Sequence, residues 1–524
     1  MRQRLPAGHL LESGLYAPLE PNIMLNTDSY KPSHHLMLPP FLTRILCFFE
    51  SRGWSDEAAP FLREAASMFG VPLERVEQVL LDRQERLAIK ETVTVGLQME
   101  LKKYFCGPVV TEEKIEEAYE VLAMHFDNSR IFNRKGWEYI LKEYGGNLPL
   151  EIRAVPEGTV MPLKNVLFTS ANTDPNVPWL PGYVEAPLVR GWYPTTVASQ
   201  GRYIRQVIMR YLEETGTPAL IDSRFHSFAA RGVSSQESAG IGDAAHLVHS
   251  QGTDTLEGIR VVRAYYAERM AGYSIPASEH GVITPWGRES EADALSHQIA
   301  VFPKGPTACI SDSNDIFACC RDIWGGLLRE QVLQRDGVTI IRPDSGDPIP
   351  VLLKVLEILG ERFGYTENKK NYKVLNDKVR IIQGDGIDRF TVGQILEALK
   401  LAGWSADNLA FGSGGGLLQK INRDTLKFAM KCCAAEFNGV WNRQQGWIQE
   451  GEWRGVSKNP ITDPGKKSKE GLLVLRRDGE SYRTDRVISY ADLAVGNEMP
   501  VKFLNGRLEI DETLADIRAR AYAA

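Results

Sequence analysis

The stretch VRIIQGDG, residues 379–386, puts a short apolar run directly before a polar, glycine-rich motif. Three further runs in the second half of the chain, at residues 307–310, 338–341 and 409–411, are also followed by polar motifs. Apolar residues at helical spacing then follow, most clearly after the runs at 338–341 and 379–382. Strands that alternate with helices are typical of parallel sheets with right-handed crossovers. We therefore predict an α/β fold.

Each polar motif follows the carboxyl end of a predicted strand, where α/β barrels and open α/β sheets carry their chemistry. The glycines at 412–416 offer backbone N–H groups to an oxyanion, or form a flexible loop. Asp385 can accept hydrogen bonds from ribose hydroxyls or cap the next helix. Arg342 and Asp344 suit a phosphate or form a structural ion pair at the rim. The shared position of these motifs favours a phosphorylated ligand.

Two other features have both a functional and a structural interpretation. His280 follows Glu279 in a polar segment, and a lone histidine is more often structural than catalytic. The C-terminal part of the chain carries a basic group, which can hold a pyrophosphate or form a solvated face. The members of this group are Arg423, Lys431, Lys458, Lys466, Lys467 and Lys469.

Composition narrows the class of protein. The chain has 524 residues, of which 43% are hydrophobic and 24% charged, enough for a large α/β barrel with an added lobe. A net charge of −6 argues against a nucleic-acid binder. The 7 cysteines fit neither a disulfide framework nor a zinc site, and we find no signal peptide and no membrane-spanning run, so we expect a cytoplasmic protein without a membrane partner. P-loop and dinucleotide-binding motifs are also missing.

The domain organisation follows from these patterns. Residues 1–21 are predicted to form an N-terminal arm, and residues 22–188 a mixed α+β lobe that also includes about 425–524. The barrel that carries the active site is predicted at 189–424. Within the lobe, the stretch 54–90 is rich in Glu, Arg, Leu and Ala and is predicted to be helical.

From about Asn22 to Gly471 the chain resembles the nicotinamide phosphoribosyltransferases. The resemblance rests on an ordered series of motifs: NTDSYKPSHH, GWYPTTVAS, RGVSSQESAGIG, GTDT, YSIPASEH, SDSNDI, IIRPDSGDP, IQGDGID and FGSGGGLLQKINRD. It implies an irregular α/β barrel of the type II phosphoribosyltransferase kind with a second, β-rich domain. It also implies a homodimer whose active sites lie at the interface between the two subunits.

The resemblance further implies roles for individual residues. For the pyridine base these are Phe228 and Tyr30 of the partner subunit on the two ring faces, with Arg231, Asp254 and Ser274 around the amide. His280 would be phosphorylated by ATP, with Asp312 and Glu279 in support. Ribose and its phosphate would be held by Arg342, Asp344, Gly384, Asp385 and Gly415. Pyrophosphate or the ATP phosphates would be bound by Arg52, Arg423, Lys431, Lys458 and Lys466, with Mg²⁺ held largely by pyrophosphate oxygens.

The reaction implied is the joining of nicotinamide to phosphoribosyl pyrophosphate in NAD salvage, coupled to ATP hydrolysis through a phosphohistidine. A nicotinate phosphoribosyltransferase is the nearest alternative, but the Asp254 carboxylate should repel the carboxylate of nicotinate. A non-catalytic interaction protein is the alternative of another class. Three departures from the family pattern are Ala308 where Ser is common, a longer 54–90 segment, and a poor match after Gly471.

Overall fold

The structure, a computed structural model, describes residues 20–54, 64, 68, 72, 74–76, 78, 89–442, 446–448, 451–462 and 466–523. Almost all of the predicted N-terminal arm lies outside these residues, and so does most of the predicted helical stretch 54–90.

Six parallel strands form the sheet that positions the site. In spatial order they are Gly252–Thr253, Phe225–Ser227, Leu409–Ser413, Val379–Gln383, Thr339–Arg342 and Thr307–Ile310. The segment Tyr273–Ala277 bridges the two edges, because Tyr273 pairs with Gly252 and Ala277 pairs with Ala308. This extra segment closes the sheet into an irregular barrel. The predicted α/β barrel is therefore confirmed, and the four predicted strands are found within about two residues of their expected ends.

Helices follow most barrel strands, and their sequences explain where they begin. The helix Pro348–Phe363 starts with proline in its first turn, and the Asp347 side chain accepts a hydrogen bond from the Ile349 N–H at 3.3 Å. The α-helices of this part are Trp192–Thr215, Gln236–His246, Leu256–Tyr265, His280–Ile283, Glu291–Val301, Ile316–Ala318, Arg329–Gln334, Pro348–Phe363, Thr391–Leu401, Gly415–Leu418 and Leu514–Ala523. A π-helix spans Cys319–Leu327, and 3₁₀ turns span Pro218–Ser223, Thr284–Trp286, Arg288–Ser290 and Ala406–Asn408.

The second domain is built on an antiparallel sheet. Its strands are, in spatial order, Glu452–Gly455, Phe428–Phe437, Leu42–Ser51, Val166–Asn172, Leu150–Ala154, Val501–Leu504 and Arg507–Leu508. Two-stranded ribbons pair Glu91–Val93 with Val160–Pro162, Val440–Asn442 with Gly446–Ile448, and Leu472–Asp478 with Ser481–Val487. A further ribbon, Tyr365–Glu367 with Lys373–Leu375, belongs to the barrel, whose core includes Leu375. Helices of this domain are Lys31–Leu36, Leu97–Tyr104, Glu112–Phe126, Arg134–Tyr144, Leu180–Tyr183, Glu185–Val189 and Ala491–Ala494.

The barrel and the lobe have separate hydrophobic cores. The C-terminal helix Leu514–Ala523, which the sequence assigns to the lobe, instead contributes Leu514, Ile517 and Ala521 to the barrel core. Beside it, the buried Lys502 pairs with Glu512 and so ties the lobe sheet to the base of this helix. Among the described residues, none of the helices has both the length and the hydropathy that a bilayer crossing requires.

Candidate active site

The phenyl ring of Phe228 lies against the glycine loop at the carboxyl end of the barrel. Its backbone N–H donates to the Ser413 carbonyl at 2.8 Å, because Phe228 directly follows the strand that pairs with Leu409–Ser413. A Cβ atom on Gly412 would lie 1.9 Å from the Cε2 atom of the Phe228 ring. Only glycine at 412 therefore leaves the ring in this place, and the requirement for glycine is one of close approach.

The other predicted glycines meet at the same place. A Cβ atom on Gly384 would be 3.3 Å from the Phe228 ring and 3.3 Å from the Asp344 carboxylate, which places these three residues side by side. A Cβ atom on Gly232 would be 2.9 Å from the Gly415 nitrogen. The loop that follows Phe228 thus packs on the loops that end two neighbouring strands.

Arg342 and Asp344 form an ion pair, with 2.8 Å between Nη2 and Oδ1. The guanidinium of Arg342 also lies 5.3 Å from the centre of the Phe228 ring, within cation–π distance. Asp385 is exposed, and the side chain that accepts the N–H of Thr391 at the start of the next helix is that of Asp388, at 3.0 Å. Asp385 therefore does not cap this helix, and its carboxylate is left open to a ligand.

His280 lies at the start of a short helix beside Asp312. The distance between His280 Nε2 and Asp312 Oδ1 is 3.5 Å, and Nδ1 lies 3.0 Å from Ser313 Oγ. The Asp312 side chain is only 3% exposed, whereas the imidazole is about half exposed. The other oxygen of Asp312 accepts hydrogen bonds from the Asp344 N–H at 3.0 Å and the Ser345 hydroxyl at 2.6 Å. One buried carboxylate therefore joins the histidine to the motif that contains Arg342.

Glu279, which the resemblance places in support of His280, forms an ion pair with Arg231. Its carboxylate lies 3.3 Å from the guanidinium of Arg231, and both side chains are well exposed. The pair joins the loop that follows Phe228 to the segment that carries His280. Glu279 is therefore placed to orient Arg231, while Asp312 and Ser313 contact the imidazole.

Asp254 follows the edge strand Gly252–Thr253 and is exposed at the barrel rim. Its carboxylate accepts a hydrogen bond from the Ser274 hydroxyl. Its backbone N–H donates to the Ser227 carbonyl at 2.9 Å, which places Asp254 next to the Phe228 loop. The carboxylate is thus held by its neighbours and still open on the solvent side.

A cavity of about 660 Å³ reaches Ser274 from within the barrel wall. Its lining combines apolar side chains such as Ile340 and Ile382 with the charged residues Asp222, Arg224, Arg380 and Asp407. Burial lowers the pKa of His226, although the charge of Asp254 acts in the opposite direction.

The predicted phosphate ligands Arg52, Lys431 and Lys458 lie together on the lobe. Burial is the main cause of a lowered pKa at Lys431, and the positive charges of Arg52, Lys31 and Lys458 lower it further, while Glu185 opposes them. Lys31 also forms an ion pair with Glu185. We call this group of four cations, Lys31, Arg52, Lys431 and Lys458, the cationic face.

The remaining predicted residues lie at the edge of this face. Tyr30 is 55% exposed, and its pKa is raised mainly by burial and by a hydrogen bond to Asp28. The positive charge of Arg423 acts against that shift, so Arg423 lies near Tyr30. Lys466 is exposed in the segment after Lys458. Contacts described within this single chain place Tyr30 on the lobe and Phe228 on the barrel.

Sequence reasoning missed two residues that the structure brings into the site, Ser313, which contacts His280, and Lys31, which belongs to the cationic face. Gly412 was named as part of a glycine loop, but its close approach to Phe228 was not foreseen. Each lies within a motif quoted above, so a signal was present. Its meaning depended on neighbours distant in sequence, which spacing along the chain does not reveal.

Comparison with known proteins gives a consistent result. Residues 223–507 match the nicotinate phosphoribosyltransferase (NAPRTase) family, and residues 22–152 match the N-terminal domain of nicotinamide phosphoribosyltransferase. The nicotinamide phosphoribosyltransferase of Xanthomonas campestris pv. campestris (strain 8004) is 42% identical over 512 residues, covering 96% of this chain and 98% of that protein. The enzyme of the same name from Acinetobacter baylyi is 31% identical over 402 residues, covering 72% and 76%.

A solved structure supports the fold. The nicotinate-nucleotide pyrophosphorylase from Pyrococcus furiosus superposes with a TM-score of 0.57 at 13% identity, covering 97% of both chains. Such low identity bears on the architecture alone, and the architecture agrees. With its relatives and its family match taken together, the chain belongs to the nicotinate phosphoribosyltransferase family and, within it, to the nicotinamide phosphoribosyltransferases.

Proposed function

We propose that this chain transfers the phosphoribosyl group of phosphoribosyl pyrophosphate to nicotinamide and releases pyrophosphate, as a step of NAD salvage. The observation that carries this proposal is the Asp254 carboxylate, which is exposed, oriented by Ser274 and bonded through its backbone to the Phe228 loop. An aromatic face beside a fixed carboxylate suits a pyridine ring with an amide group. The names of the relatives support the same substrate.

Recognition of the base divides between the ring and its substituent. The Phe228 ring stacks on one face of nicotinamide, and Asp254 accepts the amide N–H. Arg231, whose side chain is 82% exposed and pairs with Glu279, donates to the amide oxygen. Nicotinate carries a carboxylate in place of the amide, so Asp254 would repel it.

The second ring face is covered by Tyr30 of the partner subunit in a homodimer. Support comes from the segment around Tyr30, which exposes the apolar side chains of Leu36, Met37 and Phe41 to solvent. A run of exposed apolar residues of this kind is typical of a surface that contacts another chain. The same arrangement would bring the cationic face of one subunit to the barrel rim of the other.

Phosphoribosyl pyrophosphate occupies the rim beside Phe228. Arg342 and the backbone N–H groups near Gly384 and Gly415 bind the 5′-phosphate, and the carboxylates of Asp344 and Asp385 accept hydrogen bonds from ribose hydroxyls. The cationic face binds the pyrophosphate group. These assignments give each charged group of the substrate a partner of opposite charge or a hydrogen-bond donor.

Chemistry at the anomeric carbon then needs little covalent help from the protein. Pyrophosphate leaves with the electrons of the bond to that carbon, and the nicotinamide nitrogen forms the new bond to it. Lysines and arginines stabilise the departing charge, and the aromatic contacts keep the nitrogen in line. The residue contributions are therefore binding, orientation and charge neutralisation.

Mg²⁺ fits this site as a partner of the substrate. Among the described residues there is no group of three or more side chains that could hold a metal ion by themselves. Asp344 and Asp385 offer the oxygen donors that Mg²⁺ prefers, and pyrophosphate would supply the rest. When bound, Mg²⁺ neutralises negative charge on the leaving group.

ATP is proposed as a second substrate that phosphorylates His280. An imidazole nitrogen attacks the γ-phosphorus, ADP leaves, and the positive charge on the ring is balanced by the Asp312 carboxylate at 3.5 Å. The half-exposed ring is open to a nucleotide, while Ser313 fixes its orientation.

All seven cysteines are free thiols, which supports the reducing cytoplasm as the compartment.

A comparison of two bases tests the proposed function. We expect nicotinamide mononucleotide from phosphoribosyl pyrophosphate and nicotinamide, with kcat/KM at least ~100-fold above that for nicotinate. Asp254→Ser should reduce this preference, because the repelling charge is gone, whereas Asp174→Ser, which removes a carboxylate in the lobe, should keep it. Equal kcat/KM values for the two bases in the wild-type enzyme would show a different substrate preference, and no product from either base would leave an interaction protein as the explanation.

A further inference from the structure

We propose that Asp243 is a positioning residue for the base pocket: its buried carboxylate holds the two chain segments that carry Phe228 and Asp254 and thereby sets the affinity and selectivity for nicotinamide. This inference rests on the proposed function, because it assigns nicotinamide to that pocket. Asp243 lies on the helix Gln236–His246 and belongs to none of the binding groups described above.

One set of hydrogen bonds connects Asp243 to the residues on both sides of Asp254. The Thr253 hydroxyl lies 3.0 Å and 2.9 Å from the two carboxylate oxygens of Asp243 and donates to them. The same hydroxyl accepts the backbone N–H of Thr255 at 2.9 Å. Thr253 and Thr255 flank Asp254 on both sides. The carboxylate of Asp243 therefore fixes the turn from which Asp254 projects.

A second set of hydrogen bonds leads from Asp243 to the loop of Phe228. The Ser227 hydroxyl donates to the Asp243 carboxylate. Ser227 Oγ is also 3.1 Å from Thr255 Oγ1, and Thr255 Oγ1 in turn accepts the Ala229 N–H at 3.2 Å. Because the Ser227 hydroxyl donates to Asp243, the Thr255 hydroxyl is the donor in the contact between Ser227 and Thr255. These hydrogen bonds connect Asp243 to the backbone of Ala229, the residue after Phe228.

Because Asp243 is buried, the hydroxyls that donate to its carboxylate have no water molecule as an alternative acceptor. Asp243, Ser227 and Thr255 are 0% exposed, so water cannot replace a lost acceptor. Burial raises the pKa of Asp243 to about 7, and the nearby charge of Asp254 acts in the same direction, against the hydrogen bonds from Ser227 and Thr253. A Cβ atom on Gly258 would lie 2.0 Å from Asp243 Oδ2, so the neighbouring helix leaves space for this carboxylate.

A purely structural acceptor would not need a charge, since a neutral group satisfies two hydroxyls at a lower desolvation cost. A carboxylate behind Asp254 does more than accept hydrogen bonds. Its ionised form adds negative potential to the pocket that binds the amide group of nicotinamide. This makes the binding of an anionic base such as nicotinate less favourable. Asp243 therefore favours nicotinamide over nicotinate in two ways, by geometry and by charge.

The test compares Asp243→Asn and Asp243→Ala with the wild-type full-length enzyme, and Asp174→Asn is the matched control. Asp174 is also a buried carboxylate, bonded to Tyr139 and Tyr144 in the lobe, so its change controls for loss of a buried acceptor. Nicotinamide affinity is measured directly by titration calorimetry. The KM values for nicotinamide and phosphoribosyl pyrophosphate, kcat and the melting temperature are measured in parallel.

We expect Asp243→Asn to weaken nicotinamide binding and raise its KM roughly tenfold, because the amide replaces one acceptor oxygen with an NH₂ donor and removes the negative charge. Its melting temperature should be no lower than that of the wild type, since a buried charge is removed. The KM for phosphoribosyl pyrophosphate and kcat should stay within about twofold, and the preference for nicotinamide over nicotinate should fall. Asp243→Ala should show a larger loss of nicotinamide affinity.

Unchanged nicotinamide affinity in both variants would overturn the inference, and so would a loss spread equally over kcat and both KM values. Failure of the proposed function gives a different pattern. If the wild type binds nicotinamide and forms no mononucleotide, while Asp243→Asn weakens that binding, the role of Asp243 stands and the reaction does not. If the wild type does not bind nicotinamide, both are overturned.

Discussion

The barrel rim and the cationic face of the lobe are built in opposite ways. At the rim, opposite charges and hydrogen bonds are matched within the chain: Arg342 pairs with Asp344, and Asp312 accepts from Asp344 and Ser345. On the lobe, Lys431 lies among other cations, which lower its pKa beyond the effect of burial. The rim is therefore organised before any substrate arrives. On the cationic face Lys31 and Arg52 also pair with carboxylates, those of Glu185 and Glu50, so the contrast concerns Lys431, whose cationic neighbours a bound anion would neutralise.

This difference predicts which property each region controls. Changes at the rim should remove steps of the chemistry, because they disturb a geometry that is already formed. Changes on the cationic face should mainly alter the affinity for phosphates. The variants below test this division, and a rim variant that changes only the affinity for phosphates would contradict it.

The largest effect is expected for His280→Ala. This change removes the proposed nucleophile for ATP, so ADP release should fall by ~1,000-fold or more, while slow transfer to nicotinamide continues. A coupled ADP assay and a mononucleotide assay on the same preparation measure the two activities. His297→Ala, at an exposed histidine of another helix, is the control and should keep both. ATP turnover that persists in His280→Ala would disprove the role of the histidine.

A second rim variant, Gly412→Ala, tests geometry without removing any functional group. The added methyl group would lie 1.9 Å from the Phe228 ring, so the ring must move. Displacement of a stacking partner by about 1 Å should lower kcat/KM for nicotinamide by ~100-fold. Gly393→Ala is the control, because its methyl group would lie at an ordinary 3.6 Å from Val207. Equal kcat/KM values for nicotinamide in Gly412→Ala and the wild type would mean that Phe228 does not stack on the base.

The two regions also differ in how far the sequence predicts them. The strands at 307–310, 339–342, 379–383 and 409–413 were recognised because buried parallel strands appear as short apolar runs. The strands Phe225–Ser227 and Gly252–Thr253 have too few residues to show any periodicity, and they were missed. The rim motifs could be located from these runs, although the roles of single residues came from family resemblance.

The cationic face was harder to predict. Its residues come from both ends of the chain, and nothing in the local sequence indicates that Arg52 and Lys431 are neighbours. The pairing of Phe48 with Lys431 creates the group, and this contact depends on the whole lobe sheet. For the same reason the ion pair between Glu279 and Arg231 could not be predicted, since the two residues are 48 positions apart along the chain.

On the cationic face, Lys431→Gln should raise the KM for phosphoribosyl pyrophosphate about tenfold and leave the KM for nicotinamide unchanged, because one charge-assisted contact is lost. Lys431→Arg keeps the charge and should behave like the wild type. Initial rates over a range of both substrates give the two KM values. Lys142→Gln, at an exposed lysine elsewhere on the lobe, is the control. A loss of kcat without a change in KM would place Lys431 in the chemical step.

The smallest effect is expected from pH. Lys431 has a lowered pKa, so its charge is lost as pH rises at a lower pH than for an ordinary lysine. The KM for phosphoribosyl pyrophosphate should therefore begin to rise, as pH increases, below the pH at which an ordinary lysine with a pKa of about 10.4 loses its charge. In Lys431→Arg it should stay flat, because arginine keeps its charge. The same alkaline rise in both proteins would assign the titration to another group.

The strand order of the lobe sheet has a consequence for folding during synthesis. Its central strand Leu42–Ser51 is made early in translation, but its neighbour Phe428–Phe437 is made late, and the bonded residues Thr43 and Glu436 are 393 positions apart. At ordinary rates of synthesis the first strand waits roughly 20 to 80 s for this neighbour. During that time the backbone N–H and C=O groups on that edge of the strand have no partner, which leaves an open strand edge in the nascent chain.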